Sequence, residues 1–216
     1  MTNRKRSLWA GILYLLLIIP GPFAYIIIPD MISSQLNANQ YISNHMELIY
    51  IWLLLDLLII VIEVFLAIYL YKLFKLVDDK IARIAFVLRA LVIMVMLINV
   101  SFLGIIILGD HSDPLNYVLL HIDFTFIWQL IFSLHVFVLG VYFFKFVKSN
   151  FKYLAYVLIL GSFGYLLDSL NHFFLDSSIF ISIASVLLIF VTLAEIGTGL
   201  ALVLNKVIPI EMESLS

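Results

Sequence analysis

The sequence contains no cysteine and few charged residues. The absence of cysteine excludes disulfides, thiolate metal ligands and cysteine nucleophiles. Only 12% of the 216 residues are charged and 64% are hydrophobic, which leaves too little polar surface for a soluble domain of this size. We therefore expect the chain to be surrounded by lipid. Connections between the apolar segments are short, so residues 1–216 are predicted to form a single transmembrane domain.

Lysine and arginine are also missing from every second gap between the apolar segments. The gaps near 30–47, 109–116 and 173–180 contain neither residue. All 12 basic residues lie in or next to the remaining gaps and ends, a positive-inside pattern that predicts a plasma-membrane protein with both termini in the cytoplasm. They are Arg4, Lys5, Arg6, Lys72, Lys75, Lys80, Arg83, Arg89, Lys145, Lys148, Lys152 and Lys206.

Six apolar segments are long enough to cross a bilayer, which takes about 20 residues of helix. The predicted fold is therefore an all-α, polytopic six-helix membrane bundle. The predicted spans are 8–29, 47–75, 81–108, 117–147, 153–175 and 180–206.

The first segment is interrupted by Pro20-Gly21-Pro22. A basic start followed by an apolar run also fits a signal peptide, but the run continues beyond the prolines without a small-residue cleavage site, which favours a span. Each proline removes a backbone donor and collides with the preceding turn, so a kink or break is predicted here. The freed carbonyl groups need partners, and we expect the bend to face protein.

Tryptophan and glycine have expected structural roles. Trp9 and Trp52 lie near predicted span ends and fit an interfacial aromatic belt. Four glycines are expected to permit close contact between helices. They are Gly161, Gly164, Gly197 and Gly199.

Ionisable residues within the spans are the main functional signal, because each costs about 2–3 kcal/mol or more at mid-bilayer unless it is paired or hydrated. Helical spacing places them on one polar stripe per helix, as expected for a bundle with a polar interior. The strongest candidates are Asp56, Glu63, Arg89, His135, Asp168, His172 and Glu195.

Counting the rise of about 1.5 Å per residue from the middle of each span separates the polar residues into two layers. The outer layer contains Asp56, Asn99, Gln129, Asp168 and Ser169. The inner layer contains Glu63, Arg89, His135 and Glu195.

Arg89 is the one strongly basic residue deep in a predicted span. It is expected to pair with Glu63 or Glu195, because an unpaired charge would be prohibitive at this depth. The other carboxylate would then have no fixed partner and could take up a proton. Next to His135, such a group would suit a proton relay.

Asp168 and His172 lie one helical turn apart, a spacing that can hold a metal ion but is also common by chance. A catalytic zinc site needs a third protein ligand, which Asp56, His121 or Asp123 could supply. Zinc-bound hydroxide could then attack an ester or amide at the outer leaflet. The simpler interpretation is that Asp168 accepts a hydrogen bond from His172 or from another helix.

The sequence resembles domain-of-unknown-function family 4386, a bacterial family of small polytopic membrane proteins, over nearly its whole length. The similar stretches are WAGILYLLLIIPGPF, LLLDLL, FSLHVFVLG, GYLLDS and AEIGTGLALVL. The resemblance implies a six-helix fold without a known activity. Thr125 departs from the family pattern, which tends to have histidine there, and this weakens metal schemes that use that position. The residues that match the polar positions of the family motifs are Asp56, His135, Asp168, Ser169 and Glu195.

Three classes of function fit these observations. The preferred one is binding or transport of protons or of a small polar or cationic solute through the polar interior. The second is a metal-dependent intramembrane hydrolase acting on a lipid or lipid-linked substrate through Asp168, His172 and Asp56. The third is a non-catalytic accessory, sensor or immunity protein. The bilayer is the expected partner and no nucleic-acid surface is predicted, because the basic residues lie at the membrane edge.

Overall fold

The computed structural model describes residues 2–109, 113–147 and 151–207, which form helices and no strand. The predicted all-α fold is confirmed. Lys148 lies outside the described residues. In chain order the helices are α1 (Asn3–Leu16), α2 (Pro20–Pro22), a π-helix (Phe23–Ile27), α3 (Ile28–Ser33), α4 (Ala38–Asn44), α5 (Met46–Phe74), α6 (Asp79–Leu108), α7 (Pro114–Phe146), α8 (Lys152–Leu170), a second π-helix (Asn171–Leu175) and α9 (Ser178–Val203).

Six helical segments of the described chain are long and apolar enough to span a bilayer. The first span, Asn3–Ser33, combines α1, α2, the first π-helix and α3, and the fifth span combines α8 with the second π-helix. Even the shortest, with 24 residues, rises about 36 Å, which exceeds a hydrocarbon thickness of about 30 Å. The chain is thus a multi-pass membrane protein. We call the side where α1 begins and α9 ends the terminal face, and the opposite side the distal face.

Consecutive spans pack against one another from α5 to α9, and α1 contacts both α9 and α5. The six spans therefore form a closed ring around a shared interior. The distal part of the first span packs against α5. Helix α4 connects the first two spans and contacts α7, where the Asn39 side chain accepts a hydrogen bond of 2.8 Å from the backbone N–H of Leu115.

The first span breaks at the predicted position. Helix α1 ends at Leu16, and a turn leads to Pro20, which is buried. The wider π-helix follows from Phe23 to Ile27 before α-helical geometry resumes. Because prolines remove backbone donors, this region cannot continue the hydrogen-bonding pattern of α1. The break therefore interrupts the regular α-helix near the middle of the span.

Close backbone contacts hold α9 to its neighbours, as the positions of glycine in the sequence predicted. A Cβ atom added to Gly161 of α8 would lie 2.6 Å from the Cα of Val191 in α9. Nearer the terminal face, a Cβ on Gly11 of α1 would lie 2.5 Å from the carbonyl oxygen of Gly199. Close approach of this kind drives helix association in lipid, where burial of apolar surface contributes little.

Replacement of Gly161 by alanine tests this contact. The added methyl group would collide with the α9 backbone, so we expect Gly161→Ala to destabilise the protein by about 1–3 kcal/mol. Thermal unfolding in a mild detergent measures the change.

Gly104 of α6 is a matched control, because no neighbouring atom lies within 4 Å of an added Cβ. Gly104→Ala should leave stability unchanged or raise it slightly through helix propensity. Equal losses from the two substitutions would contradict the proposed α8–α9 contact.

Candidate ligand-binding site in the bundle interior

Arg89 is paired with Glu63 inside the bundle. Its Nε donates to Glu63 Oε2, and its Nη2 donates to Oε1 at 3.0 Å. Arg89 is fully buried and Glu63 is 6% exposed. A two-point contact between guanidinium and carboxylate is the strongest geometry for such a pair. The structure thus selects Glu63, rather than Glu195, as the ion-pair partner of Arg89.

The other terminal nitrogen of Arg89 extends this cluster to two more spans. Nη1 lies 3.2 Å from the hydroxyl of Tyr14 and 2.9 Å from Nε2 of His135. Since Nε2 accepts a hydrogen bond from Arg89, Nδ1 carries the proton and donates to the carbonyl of Ala85 at 2.9 Å. Both ring nitrogens of His135 are therefore engaged in hydrogen bonds, and the proton relay that the sequence suggested stays a prediction.

Glu195 is partly buried on α9 and has neither a hydrogen bond nor an ion pair among the described residues. It lies within electrostatic range of both Arg89 and Glu63. Because Arg89 already binds Glu63 at two points, its positive charge is largely compensated. Glu195 is thus the carboxylate without a fixed partner that the sequence predicted for this layer.

Asp56 lies nearer the distal face and forms a separate buried pair. Its Oδ2 atom is 2.7 Å from Nε2 of His121, which is fully buried. Trp52 packs edge-on against that ring with 4.4 Å between the ring centres. The expectation that Trp52 belongs to an interfacial belt is wrong, because it is fully buried, whereas Trp9 is 49% exposed.

Asp168 contacts another helix rather than His172. Its Oδ2 accepts a hydrogen bond of 2.8 Å from the Gln129 amide on α7. His172 belongs to the second π-helix, and its Nε2 lies 2.8 Å from Oδ1 of Asp123. The wider π-helical turn alters the register that an uninterrupted α-helix would give. The simpler interpretation of Asp168, a hydrogen bond from another helix, thus matches the geometry.

The hypothetical metal ligands Asp56, Asp168 and His172 are not brought together. Each is engaged by a different partner, and the described parts of the chain contain no group of three or more His, Asp or Glu side chains that could hold a metal ion. The hydroxyl of Ser169 donates to the carbonyl of Tyr165 within its own helix.

A cavity of about 430 Å³ lies between the first span and the other five. This volume is within the range of small-molecule sites, about 300–1,000 Å³. Carboxylates from three helices reach it, and so does Arg89. Aromatic side chains form much of the remaining wall. The acidic lining residues are Glu63, Asp168 and Glu195, and the aromatic ones include Tyr14, Tyr25, Trp128, Phe132 and Tyr165.

The cavity has an excess of acidic groups. Glu63 is balanced by Arg89, which is the only buried lysine or arginine side chain in the described chain. Asp168 and Glu195 have no basic partner there. Tyr165 also lines the cavity and lies three residues before Asp168 on α8.

Sequence patterns did not reveal all of these lining residues. Tyr165 lies three residues before Asp168, on the same face of a predicted helix. Tyr14 could not be singled out, because nothing in the sequence distinguishes it from the other tyrosines among the 11 in the chain. Gln129 was placed in the correct layer without a partner. Contacts between helices depend on helix rotation, which spacing within one helix does not determine.

Removal of Arg89 tests the buried ion pair. Arg89→Met leaves the Glu63 charge buried and unpaired, so we expect a loss of about 3–5 kcal/mol. Replacing Glu63 as well, in Arg89→Met/Glu63→Met, should restore much of this loss. Detergent unfolding curves of the single and double variants measure both effects.

The exposed pair of Arg83 and Asp79 provides the control, because its side chains are 69% and 47% exposed. Arg83→Met should cost less than about 1 kcal/mol. A cost for Arg89→Met as small as this would show that the interior pair does not stabilise the bundle.

Comparison with known proteins identifies the family and leaves the activity open. No curated protein and no solved structure matches the chain. One family model matches residues 9–205, from the first span to the end of the last, and this range contains all the lining residues of the cavity. The resemblance seen in the sequence is thereby confirmed. The chain belongs to the family described as a domain of unknown function, DUF4386.

Proposed function

We propose that this membrane protein binds a small organic cation in its interior cavity. The observation that carries the proposal is the presence of Asp168 and Glu195 in one cavity without a basic partner. A carboxylate inside a membrane is costly, and a bound cation would offset that cost. The cavity thus offers a cationic ligand acidic side chains at two depths, while Arg89 remains bound to Glu63.

The aromatic walls favour an organic cation over a metal ion. Electron-rich faces of tyrosine and tryptophan attract ammonium groups within about 6 Å, most strongly where water is excluded. Tyr14, Trp128 and Tyr165 all line the cavity. A substituted ammonium ion could contact carboxylates and ring faces together, whereas a divalent metal would need several converging oxygen or nitrogen ligands.

Binding of this kind serves transport if the site can also be reached from the terminal face. In the present arrangement that side is closed by the contact of Gly11 with Gly199 and by a 2.7 Å hydrogen bond from the Ser7 hydroxyl to the carbonyl of Leu202. Separation of α1 from α9 is the movement that we propose for release there. If the termini are cytoplasmic, as the basic residues predict, the cation would enter from the outer half of the plasma membrane.

Choline and its neutral isostere dimethylbutanol, in which carbon replaces the charged nitrogen, test the proposal. Choline should raise the unfolding temperature of the purified protein. At a choline concentration of 100 times its Kd, the free energy of unfolding should increase by about 2.7 kcal/mol. Dimethylbutanol should produce no shift. Tetraalkylammonium ions, from tetramethyl to tetrapropyl, extend the test to larger cations.

Neutral substitutions locate the site. Asp168→Asn and Glu195→Gln should each weaken cation binding by about tenfold or more, because each removes a charged contact in a low-dielectric cavity. Asp123→Asn is the matched control, since Asp123 is 48% exposed and pairs with His172 outside the cavity lining. Equal stabilisation by choline and dimethylbutanol, or no stabilisation by any cation of the series, would contradict the proposal.

A further inference from the structure

The first span and α9 are close near the terminal face and separate toward the distal face. Ser7 and Gly11 contact Leu202 and Gly199 at the terminal end. Helix α1 contacts α5 as well as α9, whereas beyond the break after Leu16 the first span packs against α5. The cavity lies in the region where the two helices separate.

Side chains along this separation face the cavity and the exterior at once. Ile18 and Ile26 line the cavity and are 39% and 65% exposed. Thr192 of α9 also lines it and is exposed. The cavity therefore communicates with the outside of the bundle between these helices. We call this passage the lateral opening and define it by Ile18, Gly21, Ile26, Leu188, Thr192 and Ile196.

The depth of the lateral opening places it in hydrocarbon. Ile18 is the middle residue of the first span, and Thr192 is near the middle of α9. Ile26 lies eight residues farther, which corresponds to about 12 Å at the helical rise, still inside a hydrocarbon half-thickness of about 15 Å. A molecule passing through the lateral opening would therefore come from the lipid phase, in the distal leaflet.

We propose that the ligand is a membrane-dissolved amphiphile with a cationic ammonium head and a hydrocarbon tail. The head would lie inside the cavity, where Asp168 and Glu195 supply acidic side chains, and the tail would leave through the lateral opening. This inference rests on the proposed function, which it deepens by naming the ligand class and its route of entry.

The distribution of polarity matches such a ligand. The charged residues lie within the cavity, whereas the residues of the lateral opening are apolar apart from Thr192, whose hydroxyl donates to the carbonyl of Leu188 in its own helix. An alkyl chain in the opening would contact apolar side chains and lipid, and would leave no polar group unsatisfied. A cationic head would meet the unpaired acidic side chains of the interior.

Alkyltrimethylammonium ions of increasing chain length test this inference. The protein is reconstituted in phosphatidylcholine nanodiscs, and each ion competes with radiolabelled tetramethylammonium. The concentration of each probe is expressed as its concentration in the lipid phase. We expect decyltrimethylammonium to displace the label at least as well as unlabelled tetramethylammonium does, because its tail extends through the lateral opening.

Bulky side chains in the lateral opening should separate the two probes. In Ile18→Trp/Thr192→Trp we expect the affinity for decyltrimethylammonium to fall by about tenfold more than that for tetramethylammonium, because the obstruction lies in the path of the tail. Leu193→Trp is the control, since Leu193 is 58% exposed and does not line the cavity. It should not change the ratio of the two affinities.

Three results would overturn the inference in distinguishable ways. If tetramethylammonium binds but decyltrimethylammonium does not displace it, the cavity binds cations and the lateral entry is wrong. If neither cation binds to the reconstituted protein, the proposed function itself fails. An unchanged affinity ratio in the double tryptophan variant would also reject the lateral route.

Discussion

The contact of Arg89 with Glu63 is the interaction on which the interior depends. It places a compensated charge pair in the bilayer and joins α5 to α6, while Tyr14 and His135 connect the same guanidinium to the first span and to α7. Four of the six spans are thus positioned around one side chain. Because this one buried guanidinium is bound to Glu63, the acidic groups of α8 and α9 have no basic residue to neutralise them. The same contact that makes the charge pair tolerable in lipid therefore leaves the cavity with more acidic than basic side chains.

The shape of the cavity follows from two opposite features of the first span. Gly11 permits close packing against α9 near the terminal face, and beyond the prolines that follow the first span packs against α5. Small residues and a proline break together leave space in the distal half of the bundle. Carboxylates and aromatic rings from neighbouring helices line that space.

Sequence reasoning predicted the membrane class, the six spans and the break at Pro20, because these depend on composition and local backbone chemistry. It also restricted the partner of Arg89 to Glu63 or Glu195, since depth along each helix follows from the rise per residue. It could not choose between them, because helix rotation within the bundle determines which side chains meet. The grouping of Asp168 with His172 failed for a related reason, since the second π-helix begins between them. The cavity was not predictable, because it depends on how two helices distant in sequence separate.

The proposed function requires a cation inside the cavity that Asp168 and Glu195 line. Crystals soaked with arsenocholine, in which arsenic replaces the quaternary nitrogen of choline, reveal its position through anomalous scattering at the arsenic edge. We predict an anomalous peak within the cavity and its absence in Asp168→Asn/Glu195→Gln crystals. A peak elsewhere on the protein with none in the cavity, or a cavity peak that persists in the double variant, would show that these carboxylates do not bind the cation.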